Sequence, residues 1–191
     1  MFNFRKTRTK QISMNYTNNN IQSNKQIINI ESTKNIPTKP DQPDMTWGAP
    51  YWFFFHTIVE KIKEEEFNNK KGELINIIKM ILSNLPCPEC TAHSISNIKL
   101  IKWDKIQSKS DLKHIMFTFH NKVNSLKNYP LFPLEEAEYK YKSANTIAII
   151  NNFLNFFPYK GKQLMIGTFS HKINANSVRN WLNENINCFE K

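Results

Sequence analysis

Apolar residues return every three or four positions in several separate stretches, and each such stretch predicts a helix with one inward face. In 50–66 the stripe is Trp52, Phe55, Ile58, Val59 and Ile62. A turn at 68–72, rich in Asn and closed by Gly72, separates this helix from a second over 71–83. Leu74, Ile77, Ile78, Ile81 and Leu82 point inward there. A third helix opens at Pro86 and Pro88 and fades near position 98, followed by a connector over 100–108. Ser110 or Asp111 caps a fourth helix over 111–127, with Leu112, Ile115, Met116, Phe119, Val123 and Leu126 inward. Pro130 and Pro133 break the chain before a short fifth helix, 134–142, whose early Glu135, Glu136 and Glu138 suit the helix dipole. Ile147, Ile150, Phe153, Leu154 and Phe157 line a further run at 146–157, and Val178, Trp181, Leu182 and Ile186 another at 176–187. Nothing alternates as a strand does, and there is no internal repeat or glycine-rich phosphate loop. The pattern predicts an all-α protein: a four-helix bundle plus a short fifth helix, with additional C-terminal helices.

The first 43 residues stand apart. They are polar, contain the run Asn18-Asn19-Asn20, and carry prolines at 37, 40 and 43, a composition that cannot bury a core. Five basic residues (Arg5, Lys6, Arg8, Lys10 and Lys25) fall in the first thirty positions, which hold no acid. They supply part of a net charge of +10. The chain thus divides into a disordered basic arm, 1–43, a bundle domain, 44–142, and a helical extension, 143–191. The arm could be a solvated tail or could bind nucleic acid or an anionic surface. No apolar run approaches the length of a membrane span, and the N-terminus lacks the apolar segment of a secretory signal. Three cysteines are too few for a disulfide framework.

Two of those cysteines concentrate the chemistry. Cys87 and Cys90 lie in Leu85-Pro86-Cys87-Pro88-Glu89-Cys90-Thr91-Ala92-His93. The prolines suit a helix start, which puts Cys87 where unpaired N–H groups and the dipole stabilise a thiolate. Four readings compete. A thioredoxin-type site needs a preceding strand, which the pattern lacks. A covalent haem needs His directly after the second cysteine, and Thr91 stands there. A structural zinc could use Cys87, Cys90 and His93 with His120 or His56. The last reading is a dithiol that exchanges electrons with a flat organic cofactor. Such a ring needs an apolar slot with a few polar groups. Trp52 and His56, one turn apart on the first helix, and His120, Asn121 and Asn124 on the fourth would form it if those helices face each other. His56 taken alone reads first as a hydrogen-bonded core histidine, and the fourth-helix polar residues as solvent-facing. The zinc and cofactor readings both stay open on the residues alone.

The segments Trp47-Gly48-x-x-x-Trp52-x-x-x-His56-Thr57, Cys87-Pro88-Glu89-Cys90-x-x-His93 and His120-Asn121-Lys122-Val123-Asn124 occur in an order and spacing that resemble the Erv/ALR family of FAD-linked sulfhydryl oxidases. The compact forms carried by large DNA viruses are the nearest in kind, sharing also a stretch like Pro133-Leu134-Glu135-Glu136-Ala137. The resemblance covers about 44–141. It implies FAD held noncovalently in a four-helix bundle, commonly in a homodimer. Trp52 and His56 would meet the flavin and adenine parts, and His120, Asn121 and Asn124 the adenine and ribose. Trp47, Gly48 and Lys127, the last toward a phosphate, complete the cofactor-binding set. Cys90 would lie against the flavin, and Cys87 would exchange with a dithiol protein substrate, electrons passing through FAD to molecular oxygen to give hydrogen peroxide. His93 could tune the cationic surround. The chain departs from the family at Ala49, where arginine is common, and has no second shuttle pair. Only Cys188 remains, as a relay on a flexible tail or as a free thiol without a role. Viral kinship implies disulfide formation in a host cytoplasm or a virion.

Overall fold

The structure is a computed structural model that describes residues 47–157 and 168–191; the basic arm lies outside the described residues. It is all-α. The helices are α1 (Gly48–Lys61), α2 (Glu64–Leu82), α3 (Pro88–Ile98), α4 (Lys109–Leu126), α5 (Leu134–Lys142), α6 (Thr146–Phe156) and α7 (Thr168–Glu184). Single 3-10 turns occupy Trp103–Lys105 and Ile186–Cys188. Among the described residues the only bridge-type pairing is Ile62 with Phe189, antiparallel.

α1 organises the rest, packing against α4, α5 and α6. Its buried residues (Tyr51, Phe54, Phe55, His56, Thr57, Ile58 and Val59 among them) run almost round its circumference, as a central helix requires. On the α6 side Phe54 stacks on Phe153 with ring centroids 3.9 Å apart. Tyr51 meets the same ring edge-on at 5.0 Å. α2 carries α3 and α7. Asn174 donates to the Asn84 side chain just beyond the end of α2, and the Trp181 indole donates to Glu73 in its middle. α7 therefore runs antiparallel to α2.

The boundary between the first two helices corrects the sequence reading. The chain does not turn at 68–72; α2 passes through Asn68, Asn69 and Gly72, and the break falls at Ile62 and Lys63. The C-terminal residues make that break. Lys63 N–H donates to Cys188 O at 2.9 Å, and Glu190 N–H donates to Lys61 O at 2.7 Å. The freed backbone groups are thus satisfied by a segment over a hundred residues away. Glu64, Glu65 and Glu66 then open α2 where carboxylates favour the dipole.

The fourth helix starts earlier than expected. Ser108, not Ser110 or Asp111, is the cap; its Oγ accepts from Asp111 N–H at 3.1 Å, and Asp111 accepts from Ser108 N–H at 2.9 Å. This is a reciprocal capping box. At the other end Asn128 takes φ 57°. Asn128 N–H reaches Ser125 O, and Tyr129 N–H reaches Asn124 O, the paired bonds of a Schellman stop. Leu126, expected inward, is 65% exposed there, and Ile147 is likewise exposed at the start of α6. The C-terminal helix, Thr168–Glu184, starts earlier than the apolar spacing indicated.

Candidate active site

Cys87 is the N-cap of α3, in extended conformation, and Pro88 takes the first helical position, where its missing N–H costs nothing. Cys87 and Cys90 are joined as a disulfide with Cα atoms 5.1 Å apart. The Cys90 N–H points at Cys87 Sγ at 3.1 Å, so one orphan donor of the helix start is spent on sulfur. Thr91 fixes the turn by donating from Oγ1 to Leu85 O at 3.2 Å. Both cysteines are half-buried against the core. Ser94, one turn beyond Cys90 on the same side of α3, is buried, and its Oγ has no hydrogen-bond partner among the described residues.

The zinc reading is not supported. The two sulfurs are bonded to each other, His93 is exposed on the helix surface, and among the described residues no three His, Cys, Asp or Glu side chains gather as a metal-binding group.

The first and fourth helices do face each other, and they bring Trp52, His56 and His120 together. The Trp52 and His120 rings stack at 3.9 Å and 8°. His56 Nε2 and His120 Nδ1 lie 2.9 Å apart. One ring donates and the other accepts, which requires the accepting ring to be uncharged. Burial pushes His56 down to about 3, with the neighbouring His120 and Lys140 adding to it. Burial, then the Lys140 ammonium, pushes His120 down to about 4. Tyr141 stacks on His56 at 4.6 Å and 14°, and burial pushes its hydroxyl up. Lys140 Nζ sits 4.7 Å from the Phe53 ring centre, a cation over an aromatic face. A cleft of about 170 Å³ runs beside His56 between α1, α4 and α5, with Phe117, Leu134 and Tyr141 in its wall.

Phe132, Lys140 and Tyr141 were missed in the sequence. Ala137 and Tyr141 are the buried residues of α5, spaced by one turn, and that pair was the available signal. Phe132 gave none, because it lies between prolines on an irregular strap.

The other expected site residues are distributed as follows. Gly48 lies one turn before Trp52 on the same side of α1, and a Cβ built there meets nothing within 4 Å. Trp47 is buried on a different side, its ring edge-on to Tyr51 at 5.2 Å. Asn121 and Asn124 hydrogen-bond to the backbone of the strap that follows α4. Lys127 ends α4, where partial burial lowers its pKa and the Glu89 carboxylate between the cysteines opposes that shift. Cys188 is not on a loose tail. Its carbonyl holds the α1–α2 break, and burial, then Glu66, pushes its thiol up. α2 has 19 residues. At 1.5 Å per residue that helix is about 28 Å long, with Cys188 bonded at its start and the segment bearing the cysteine pair following its end.

An all-α bundle with a Cys-x-x-Cys disulfide at a helix start and a cluster of aromatic and imidazole rings between its first and fourth helices defines a class of helical redox domains. Residues 49–143 match the Erv1/Alr family, and the chain belongs to that family. It is 27% identical over 97 residues to the putative FAD-linked sulfhydryl oxidase 096R of Invertebrate iridescent virus 3, covering 50% of this chain and 66% of that protein. It is 28% identical over 102 residues to the putative FAD-linked sulfhydryl oxidase 347L of Invertebrate iridescent virus 6, covering 50% of this chain and 92% of that protein. Against the FAD-linked sulfhydryl oxidase of African swine fever virus (Tick/Malawi isolate) it is 26% identical over 124 residues, covering 65% of this chain and 96% of that protein. No solved structure gives a significant match.

Proposed function

We propose that this protein is an FAD-linked sulfhydryl oxidase. It removes two electrons and two protons from a dithiol in a polypeptide, leaves that polypeptide with a disulfide, and reduces oxygen to hydrogen peroxide. The observation that carries the reading is the Cys87–Cys90 disulfide at the start of α3, inside the segment shared with the Erv1/Alr family. The viral relatives bear the same activity in their names.

The chain's own residues perform the exchange. A substrate thiolate attacks Cys87 Sγ; the Cys87–Cys90 bond breaks, and Cys90 leaves as a thiolate in the first turn of α3, where the dipole favours negative charge. The second substrate thiol, as thiolate, then attacks the substrate sulfur of the mixed disulfide. Cys87 leaves as the thiolate toward which the Cys90 N–H is already directed. A thiol of lower pKa leaves faster, so the cap position speeds release of oxidised substrate. FAD, when bound, supplies the two-electron acceptor that lets the pair re-form its disulfide and the onward route to oxygen.

The donor set fits that cofactor. Trp52 and His120 would offer flat faces, His56 and His120 uncharged ring nitrogens, and Lys140 and Lys127 ammonium groups for the pyrophosphate. Gly48 leaves room beside Trp52 for close approach. The buried Ser94 hydroxyl would supply a polar partner one turn from Cys90.

The test is a visible spectrum of the purified protein together with oxygen uptake on a small dithiol. A bound-flavin spectrum and uptake abolished by Cys87→Ser and by Cys90→Ser are expected. A colourless protein, or uptake that survives both substitutions, overturns the reading. The homodimer belongs to the same proposal, and sedimentation at twice the 22.6 kDa chain mass is its expected result. Salt-sensitive DNA binding that disappears when residues 1–40 are deleted is the corresponding result for the arm.

A further inference from the structure

We infer that Asn121 is a positioning residue that acts on the cofactor slot through Phe132, by clamping the strap that carries it. The inference rests on the flavin reading for its functional consequence, but the clamp stands on the geometry. Asn121 Oδ1 accepts from Phe132 N–H at 2.7 Å, and Asn121 Nδ2 donates to Phe132 O at 3.0 Å. Both ends of one amide therefore grip both polar groups of one residue's backbone, as a neighbouring strand would. Asn124 adds a bond from Nδ2 to Pro130 O at 3.2 Å. Pro130 and Pro133 carry no N–H, so the strap between them has few ways to satisfy or fix itself. The two asparagine side chains, one turn apart on α4, supply those bonds.

Phe132 is what the clamp delivers. Its ring centre lies 5.3 Å from His120, 5.7 Å from His56, 6.0 Å from Tyr141 and 6.4 Å from Phe117. It thus closes over the imidazole pair whose other partners are Trp52 and Tyr141. Lys140 Nζ stands 5.8 Å from the same ring. Adjacent residues of α4 divide the work: His120 enters the ring cluster, and Asn121 sets the residue that covers it. An aspartate at 121 would keep the acceptor for Phe132 N–H but face the Phe132 carbonyl with no donor.

The experiment is a double-mutant cycle on the full chain, read as the dissociation constant for FAD and as amide exchange at Phe132. Asn121→Ala and Phe132→Ala are each expected to weaken FAD binding about tenfold, on the scale of one lost hydrogen bond or ring contact. The double variant should be no weaker than the poorer single, because Asn121 has nothing left to position. In Asn121→Ala the Phe132 amide should exchange faster with or without FAD. Asn121→Ser, which keeps a polar side chain too short to span the backbone, should behave as the alanine variant does and replaces it should Asn121→Ala fail to fold. Equal losses from Asn121→Ala in the wild-type and Phe132→Ala backgrounds, or unchanged exchange at Phe132, overturn the inference. Should the wild-type chain bind no FAD, the flavin reading fails. Exchange at Phe132 then decides the clamp alone: acceleration in the asparagine variants upholds it, and no change refutes it.

Discussion

At the scale of single residues, the His56–His120 pair sets a condition on pH. Each ring is held below the ordinary histidine value of 6.5, chiefly by burial. The unfolded chain therefore binds protons that the folded chain refuses between about pH 6.5 and the folded values near 4 and 3. The stabilisation is complete above the unfolded value and is lost as pH falls toward the folded ones. Asp111 and Glu73 also have lowered values, but from ordinary ones of 3.8 and 4.5, so they act only at more acid pH. Between about pH 6.5 and 5 the histidines should dominate this difference. Thermal unfolding midpoints should fall across that window in the wild type and fall less in His120→Gln, whose amide still bonds but does not titrate. Equal slopes in both proteins would mean that the pair is not buried uncharged.

Among the elements, α2 separates what local sequence encodes from what it does not. Its apolar stripe, Leu74 to Leu82, was legible because burial and period agree. Its start was not. Asn68, Asn69 and Gly72 are weak helix formers, yet the helix continues through them, because Phe67 and Leu74 are both buried on its inner side. The true break depends on Cys188 and Glu190 bonding to Lys63 and Lys61, which no local window contains. Gly72 is exposed, and an added Cβ meets nothing within 4 Å. Gly72→Ala should therefore raise unfolding stability by about 1 kcal/mol, seen as a higher denaturant midpoint with unchanged slope. A lower midpoint would show that the glycine is needed there. The candidate site divides in the same way. The cysteine turn and the row Gly48, Trp52, His56 are local patterns and were readable. The direct His56–His120 bond and the strap bearing Phe132 depend on how α1, α4 and α5 meet, and were not.

Over the whole molecule, the family segment and the residues after it share one apolar core. Phe153, Phe157, Val178, Leu182 and Phe189 are buried in the same cluster as Phe54, Ile58 and Ile78. Phe153→Ala should cost about 3–5 kcal/mol of unfolding stability although it lies outside the segment matched by the family. A loss below about 1 kcal/mol would mean that α6 is only loosely attached. Cys188 is anchored at the start of α2, so Cys188→Ser is expected to leave dithiol-driven oxygen uptake unchanged; a large fall would make it a relay. The central claim is that electrons enter only through the Cys87–Cys90 pair and pass to a cofactor held by the bundle. It is tested most directly by adding a dithiol to the purified protein without oxygen and following the flavin colour. The account predicts rapid bleaching in the wild type, restored by air, and retained colour in Cys90→Ser. Bleaching of Cys90→Ser at the wild-type rate would contradict it.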